Sequence, residues 1–221
     1  MIYYTDLVSY VTQKPIRTVT FQITNDCCCN CSYCYQINKG HDYMSKETAL
    51  KCINLIFSMY EENNQNNIIN KNIGGIIFEF IGGEPLMNIP LMDYITTEII
   101  DRCINNYSEL IGHITFLITT NGAYYFNNNF QQYLDKFGKL LDIGVTLDGP
   151  KEVHDKCRVY YNNKGNFDDA YAAYQDIYKR SYGIKTKITI VQENLPYLDD
   201  IIKFFYKEKA NMIFASLANE P

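Results

Sequence analysis

The sequence predicts an α/β fold in which six parallel strands alternate with helices and form a partial, TIM-like (β/α)6 barrel. Three observations carry this. Short apolar runs alternate with amphipathic stripes five times before a last apolar run. Six strands are too few for the standard eight-stranded barrel, which leaves an open, curved sheet with a lateral mouth. Each of the first five strands ends in a polar or glycine-rich turn: TNDC, GGEP, TTNG, DGP and Gln192-Glu193-Asn194. In parallel α/β folds such ends share one face, where ligands bind.

Taken in order, residues 18–24 (TVTFQIT) alternate apolar and polar, as a half-buried strand does. After a cysteine-rich loop, Ser45 can cap a helix whose apolar stripe is Ala49, Ile53, Ile56 and Tyr60, flanked by Leu50 and Phe57. IIFEFI at 76–81 is the second strand. Pro90 opens a helix carrying Leu91, Ile95, Ile99 and Cys103. ITFLI at 114–118 is the third strand, and a helix follows near 127–137. IGVTL at 143–147 is the fourth strand, and 151–161 reads as a loop. Phe167, Ala170, Tyr171, Tyr174, Ile177 and Tyr178 form the next stripe. TKITIV at 186–191, a helix marked by Leu198, Ile201, Ile202 and Phe205, and IFASL at 213–217 complete the pattern. The Asn-rich patches at 61–72 and 127–129 read as polar loops.

The chain has 221 residues, 47% hydrophobic and 20% charged, with a net charge of −5. One domain of that size can bury a sizeable core. The acidic balance disfavours nucleic-acid binding, which leaves a basic footprint. No apolar run approaches the ~20 residues of a membrane span, and MIYYTDLVSYVTQKP lacks a basic stretch followed by an apolar block, so a secretory signal is not expected. A cytoplasmic protein is expected.

Five of the eight cysteines crowd into NDCCCNCSYC, residues 25–34. Neighbours this close cannot all pair with one another, so a metal or redox site is expected rather than a disulfide framework. Cys28, Cys31 and Cys34 fit the first three ligands of a ferredoxin-type run, but Asn38 and Lys39 stand where the fourth cysteine and the proline after it would be needed. A structural zinc site needs four ligands, commonly in two pairs; His41 is the one nearby addition, without a matching pair. The remaining reading is Cys27, Cys31 and Cys34, spaced C-x3-C-x2-C. Three such ligands leave one iron of a [4Fe–4S] cube open.

That triplet, directly after a first strand and with Tyr33 before its last cysteine, resembles the radical S-adenosylmethionine (radical SAM) superfamily. GGEP after the second strand, then TLDGP and HDKCR at 146–150 and 154–158, strengthen the resemblance, which spans roughly residues 17–215. VTFQITNDC, CYQINKGH, EFIGGEP and TLDGPKEVHDK resemble SPASM-type maturases of ribosomally made peptides, including those acting on cysteine-rich repeats, and anaerobic sulfatase maturases.

The resemblance implies a radical SAM core at 17–221 behind an extension at 1–16, with the usual C-terminal auxiliary-cluster domain and the leader-binding winged helix outside the chain. It implies a [4Fe–4S] cluster on Cys27, Cys31 and Cys34, and S-adenosylmethionine as cofactor. Gly82, Gly83 and Glu84 would cradle the amino group of S-adenosylmethionine. Tyr33, Thr146, Arg158 and Val191 are further candidates around that cofactor, Val191 toward the adenine. Arg158 would pair with the cofactor carboxylate or an acidic substrate group, with a surface ion pair as the equal alternative. Asp148, Gly149 and Pro150 would shape a turn, as would Asn121 and Gly122. Cys28 and Cys29 look like spare loop thiols, Cys157 like a loop thiol, and Cys52 and Cys103 like core. The implied activity is reductive cleavage of S-adenosylmethionine to a 5′-deoxyadenosyl radical that takes hydrogen from a peptide or protein. A low-potential electron donor of ferredoxin or flavodoxin type would be a partner. A sulfatase-maturase-like protein oxidase and a non-enzymatic iron–sulfur or electron-transfer module are the alternatives. An RNA-modifying enzyme is disfavoured by the charge.

One expectation comes from the residues alone. Glu79 interrupts an apolar strand and shares parity with Ile81 and Gly83. A carboxylate there is costly unless it serves a ligand or a partner. Glu79 is therefore expected to face the substrate chamber, as a weak catalytic candidate, rather than to lie under the helices.

Overall fold

The computed structural model describes residues 14–36, 39–180, 185–210 and 212–218. The predicted extension at 1–16 lies outside this range except for its last three residues, as does Asn38. Six strands form one sheet in the order of the sequence, with every neighbouring pair parallel. They are β1 (Ile16–Thr24), β2 (Gly75–Gly82), β3 (Ile114–Thr120), β4 (Leu141–Thr146), β5 (Lys185–Ile190) and β6 (Met212–Leu217). The helices are α1 (Lys46–Glu62), α2 (Ile89–Asn106), α3 (Asn128–Phe137), α4 (Lys151–Cys157), α5 (Phe167–Lys179) and α6 (Leu198–Lys207). The result is an α/β half-barrel, as the alternation predicts. Among the described residues no helix is long and apolar enough to cross a membrane.

The helix ends follow local chemistry. Ser45 accepts the Thr48 N–H at 3.1 Å and starts α1, as predicted, while Asn63 closes it in the left-handed region. Pro90 sits in the first turn of α2, where no amide is needed. Asn127 accepts from Asn129 at the start of α3. One expectation fails. Residues 151–157 are a helix, not a loop, because Pro150 sets an extended entry and the Val153 and His154 amides close on its carbonyl.

The two sheet faces differ. On the helix side Phe21, Phe78, Phe80, Phe116, Ile118, Ile143 and Val145 are buried against the helical stripes. Phe116 stacks on both Phe78 and Phe80, with ring centroids 5.5 and 6.1 Å apart. On the opposite, inner face the register aligns Thr20, Glu79, Leu117 and Asp142 in one row. These side chains are half-buried or exposed. Glu79 therefore faces the inner side, as expected, and accepts a hydrogen bond from Thr20 Oγ1 at 2.8 Å.

Phe116 has no exposed surface and joins the rings of two strands. Phe116→Ala is expected to lower the unfolding free energy by about 3–5 kcal/mol, read from urea denaturation. A loss below about 1 kcal/mol would show that this aromatic ladder is not the centre of the core.

Candidate active site

The cysteine loop begins where β1 ends and lies across the end of β2. Two glycines make this possible. A Cβ on Gly83 would sit 2.3 Å from the Asp26 carbonyl oxygen, and one on Gly82 would sit 2.7 Å from that of Thr24. Only a residue without Cβ allows that approach. In its place two backbone bonds form: the Gly83 amide donates to Thr24 O at 3.0 Å and the Glu84 amide to Asp26 O at 2.8 Å. The loop is clamped on its other side by the segment after α4. The Asn30 amide donates to Val159 O at 2.7 Å and the Ser32 amide to Cys157 O at 2.9 Å, with a bridge between Cys29 and Tyr160.

Glu84 is 1% exposed. Its carboxylate accepts from Thr120 Oγ1 at 2.6 Å, the Asn121 amide at 2.8 Å and the Leu86 amide at 3.1 Å. Burial nevertheless pushes its pKa up to about 7. So the glutamate of GGEP braces the end of β2 against the end of β3, a role that the sequence did not suggest.

The sulfurs divide into two groups. The Asn121 Nδ2 atom lies 3.8, 3.5 and 3.4 Å from Cys27, Cys28 and Cys29 Sγ. Hydrogen bonds from the Cys28 and then the Cys29 thiol hold the Cys27 thiol below its ordinary value. Cys29, without exposed surface, has its thiol pushed up by Cys27 and Cys28. A hydrogen bond from Cys29, followed by the charges of Arg158 and Lys39, brings Cys31 down to about 7. Cys31 and Cys34 instead line a cavity of about 750 Å3 with Asn30, Ser32, Gln36 and Lys39. As placed, and among the described residues, no three His, Cys, Asp or Glu side chains close on one point. The donor set still fits an iron–sulfur group: soft thiols on one short loop, two with lowered pKa, beside a cavity and three N–H-bearing side chains. His41, considered above as a zinc ligand, pairs with Asp26 at 2.9 Å instead.

A second cluster forms beyond β4. Asp148 is 1% exposed and its carboxylate accepts three donors. Arg158 Nε donates to its Oδ2 at 2.9 Å, the Tyr33 hydroxyl donates to the same oxygen, and the Thr189 amide donates to Oδ1 at 3.0 Å. Its fourth link runs the other way: the Asp148 amide donates to His154 Nδ1 at 3.1 Å. Arg158 is 8% exposed, so the ion pair given as its equal alternative does form, with Asp148, but is buried rather than at the surface. Its guanidinium lies 5.4 Å from the centre of the Tyr33 ring, and Nη1 lies 3.9 Å from Cys31 Sγ. Tyr33 and Arg158 thus come together with Cys31. Thr146 is buried at the end of β4, level with Lys187 of β5, and Val191 follows β5. Cys157 ends α4 and is 2% exposed, which corrects its reading as a loop thiol. Cys103 is buried and Cys52 packs against the core, as expected.

Sequence reasoning passed over Asn121, Lys39 and Asp148 as parts of the site. Asn121 and Asp148 look like turn residues in TTNG and LDGP, and nothing local shows what their side chains reach. Lys39, which donates to Cys29 O, stands in a run of polar loop residues.

No protein-family model matches the chain. It is 27% identical over 198 residues to a cysteine-type anaerobic sulfatase-maturating enzyme of Clostridium novyi, covering 88% of this chain and 49% of that one. It is 27% identical over 166 residues to a radical SAM cyclopropyl synthase of Paramaledivibacter caminithermalis, covering 70% and 31%. Among solved structures, native anSMEcpe with bound AdoMet and the Cp18Cys peptide superposes with a TM-score of 0.73 at 16% identity, covering 94% of this chain and 52% of that one. The chain spans about half or less of the length of each.

His154 supplies a pH-dependent readout of the second cluster. It is fully buried, and burial followed by the Arg158 charge lowers its pKa from 6.5 to about 4. The native state therefore keeps it neutral, and its Nδ1 accepts the Asp148 amide. Its contribution is complete above pH 6.5 and is lost as pH falls through 4. Over that window the wild type is expected to lose about 3 kcal/mol more than His154→Gln. Urea denaturation at several pH values measures this; parallel losses would show that His154 is already charged in the fold.

Proposed function

We propose that this chain, which belongs to the radical SAM superfamily, catalyses radical chemistry on a peptide or protein substrate. The observation that carries the reading is the seating of the Cys27–Cys34 loop against GGEP at the end of β2. Cys27, Cys31 and Cys34 would hold a [4Fe–4S] cluster. When bound, this group and S-adenosylmethionine supply a one-electron reductive cleavage that yields methionine and a hydrogen-abstracting 5′-deoxyadenosyl radical.

The chain's own residues bind and orient. Gly82 and Gly83 keep the cluster loop and the cofactor edge close, while Glu84 fixes the turn by bracing β3. Tyr33, Thr146, Arg158 and Val191 are assigned to the cofactor site. Arg158, already tied to Asp148, contributes a fixed positive charge beside Cys31 rather than a free arm. Glu79 projects from the inner face into the substrate chamber. A peptide substrate is favoured by the sulfatase-maturating relative, and because the related solved structure carries a bound peptide. A low-potential ferredoxin or flavodoxin would deliver the electron. Eight unpaired cysteines fit a reducing cytoplasm.

The test is anaerobic reconstitution with iron and sulfide, followed by dithionite and S-adenosylmethionine, with 5′-deoxyadenosine measured by mass spectrometry. Wild type should produce it, and Cys27→Ala, Cys31→Ala and Cys34→Ala should each lose it. A chain that binds zinc and no iron would overturn the reading. Equal product from the three variants would overturn the ligand assignment.

A further inference from the structure

Asn121 is 5% exposed, and its orientation is fixed from two sides. Its backbone amide donates to Glu84 Oε2 at 2.8 Å, and its Oδ1 accepts the Ala123 amide at 2.9 Å. With the oxygen turned to Ala123, the side-chain NH2 must point into the cysteine loop. Among the described residues its acceptors are all sulfurs, at 3.4 to 3.8 Å on Cys27, Cys28 and Cys29. A buried amide donor aimed at neutral thiols is poorly served, because thiol sulfur accepts weakly. An anionic sulfur is a far stronger acceptor. Of the three, Cys27 is the proposed cluster ligand, so its ligating thiolate would be the best acceptor, although as placed it is the farthest at 3.8 Å.

We infer that Asn121 is a positioning residue for the cluster: its side-chain amide donates an N–H···S hydrogen bond to the Cys27 ligand and raises the cluster's reduction potential. The inference rests on the proposed iron–sulfur cluster. Its physical basis is that reduction adds negative charge to the cluster and its sulfurs. A donor held there in advance stabilises the reduced form more than the oxidised one, and hydrogen bonds to sulfur are one of the protein's means of setting such potentials. Asn121 also joins the two motifs, since its amide is held by the glutamate of GGEP while its side chain meets the cysteines.

The experiment compares wild type, Asn121→Ser and Asn121→Asp after anaerobic reconstitution. Iron content is measured first, and then the midpoint potential by EPR-monitored redox titration without S-adenosylmethionine. Serine can still accept the Ala123 amide in a hydroxyl-capped turn but has no donor for sulfur. Aspartate keeps the shape and replaces the donor with a negative oxygen. The expected result is wild-type iron content in both variants. Asn121→Ser should show about a tenfold lower reduced-to-oxidised ratio at fixed potential, a shift of about −59 mV for one electron, with Asn121→Asp shifted further. Unchanged potentials in iron-loaded variants would overturn the inference. So would loss of iron from both variants, since Asn121 would then only shape the loop. A wild type that takes up no iron defeats the proposed cluster itself, and the iron measurement separates that failure from the others.

Discussion

The site depends on two missing Cβ atoms. Gly82 and Gly83 let the backbone that follows β1 lie directly on the end of β2, with the Thr24 and Asp26 carbonyls filling the space that side chains would take. The contacts of Glu84 are built on that approach. The Glu84 amide can reach Asp26 only because the loop is so near, and the Glu84 side chain then turns to β3. The three donors on this buried carboxylate tie the end of β2 to that of β3, while the Glu84 amide ties it to the loop after β1. That carboxylate is nevertheless held close to neutral pH by its burial, so the hydrogen bonds do not fully offset the cost of desolvating it.

Asp148 plays the matching part on the other side of the mouth. Following β4, it is linked to α4 through its own amide and His154, to β5 through Thr189, and to the cysteine loop through Tyr33. Arg158 supplies the compensating charge. Removing one partner of such a buried pair generally costs about 3–5 kcal/mol, because the other charge is left without compensation. The ion pair therefore says more about how the loop is fixed than about net stability. A guanidinium held by Asp148, with Nη1 beside Cys31, has little freedom to swing toward another group. Its electrostatic effect on the sulfurs is thereby built into the fold.

Much of this was legible in the sequence. Strand and helix order followed from alternating period-2 and period-3.6 patterns, and Ser45 and Pro90 marked real helix starts. The cysteine triplet, GGEP and TLDGP converged at one end of the sheet because parallel strands put their ends on one face. What stayed hidden were long-range polar contacts. The link from Glu84 to Asn121 spans 37 residues, and that from Asp148 to Tyr33 spans 115. No periodicity encodes such pairs, and Asn and Asp in turns are explained equally well by local bonding. Helix α4 was missed for a related reason. Seven residues with three apolar or aromatic-like positions give too short a stripe to register, and the tertiary contacts of Val153, His154 and Cys157 hold it.

The two faces of the sheet show how fold and function share one set of strands. The helix side carries four interlocked phenylalanines and bears the stability. The inner side aligns Thr20, Glu79, Leu117 and Asp142 across four strands and adds little apolar burial. In a closed eight-stranded barrel those positions would pack in layers and be apolar. Six strands cannot close, so the inner face is free to be polar, and a carboxylate such as Glu79 is tolerated there with only Thr20 donating to it among the contacts described. A half-barrel thus leaves its inner face outside the apolar core. The open mouth of the sheet follows from the same strand count.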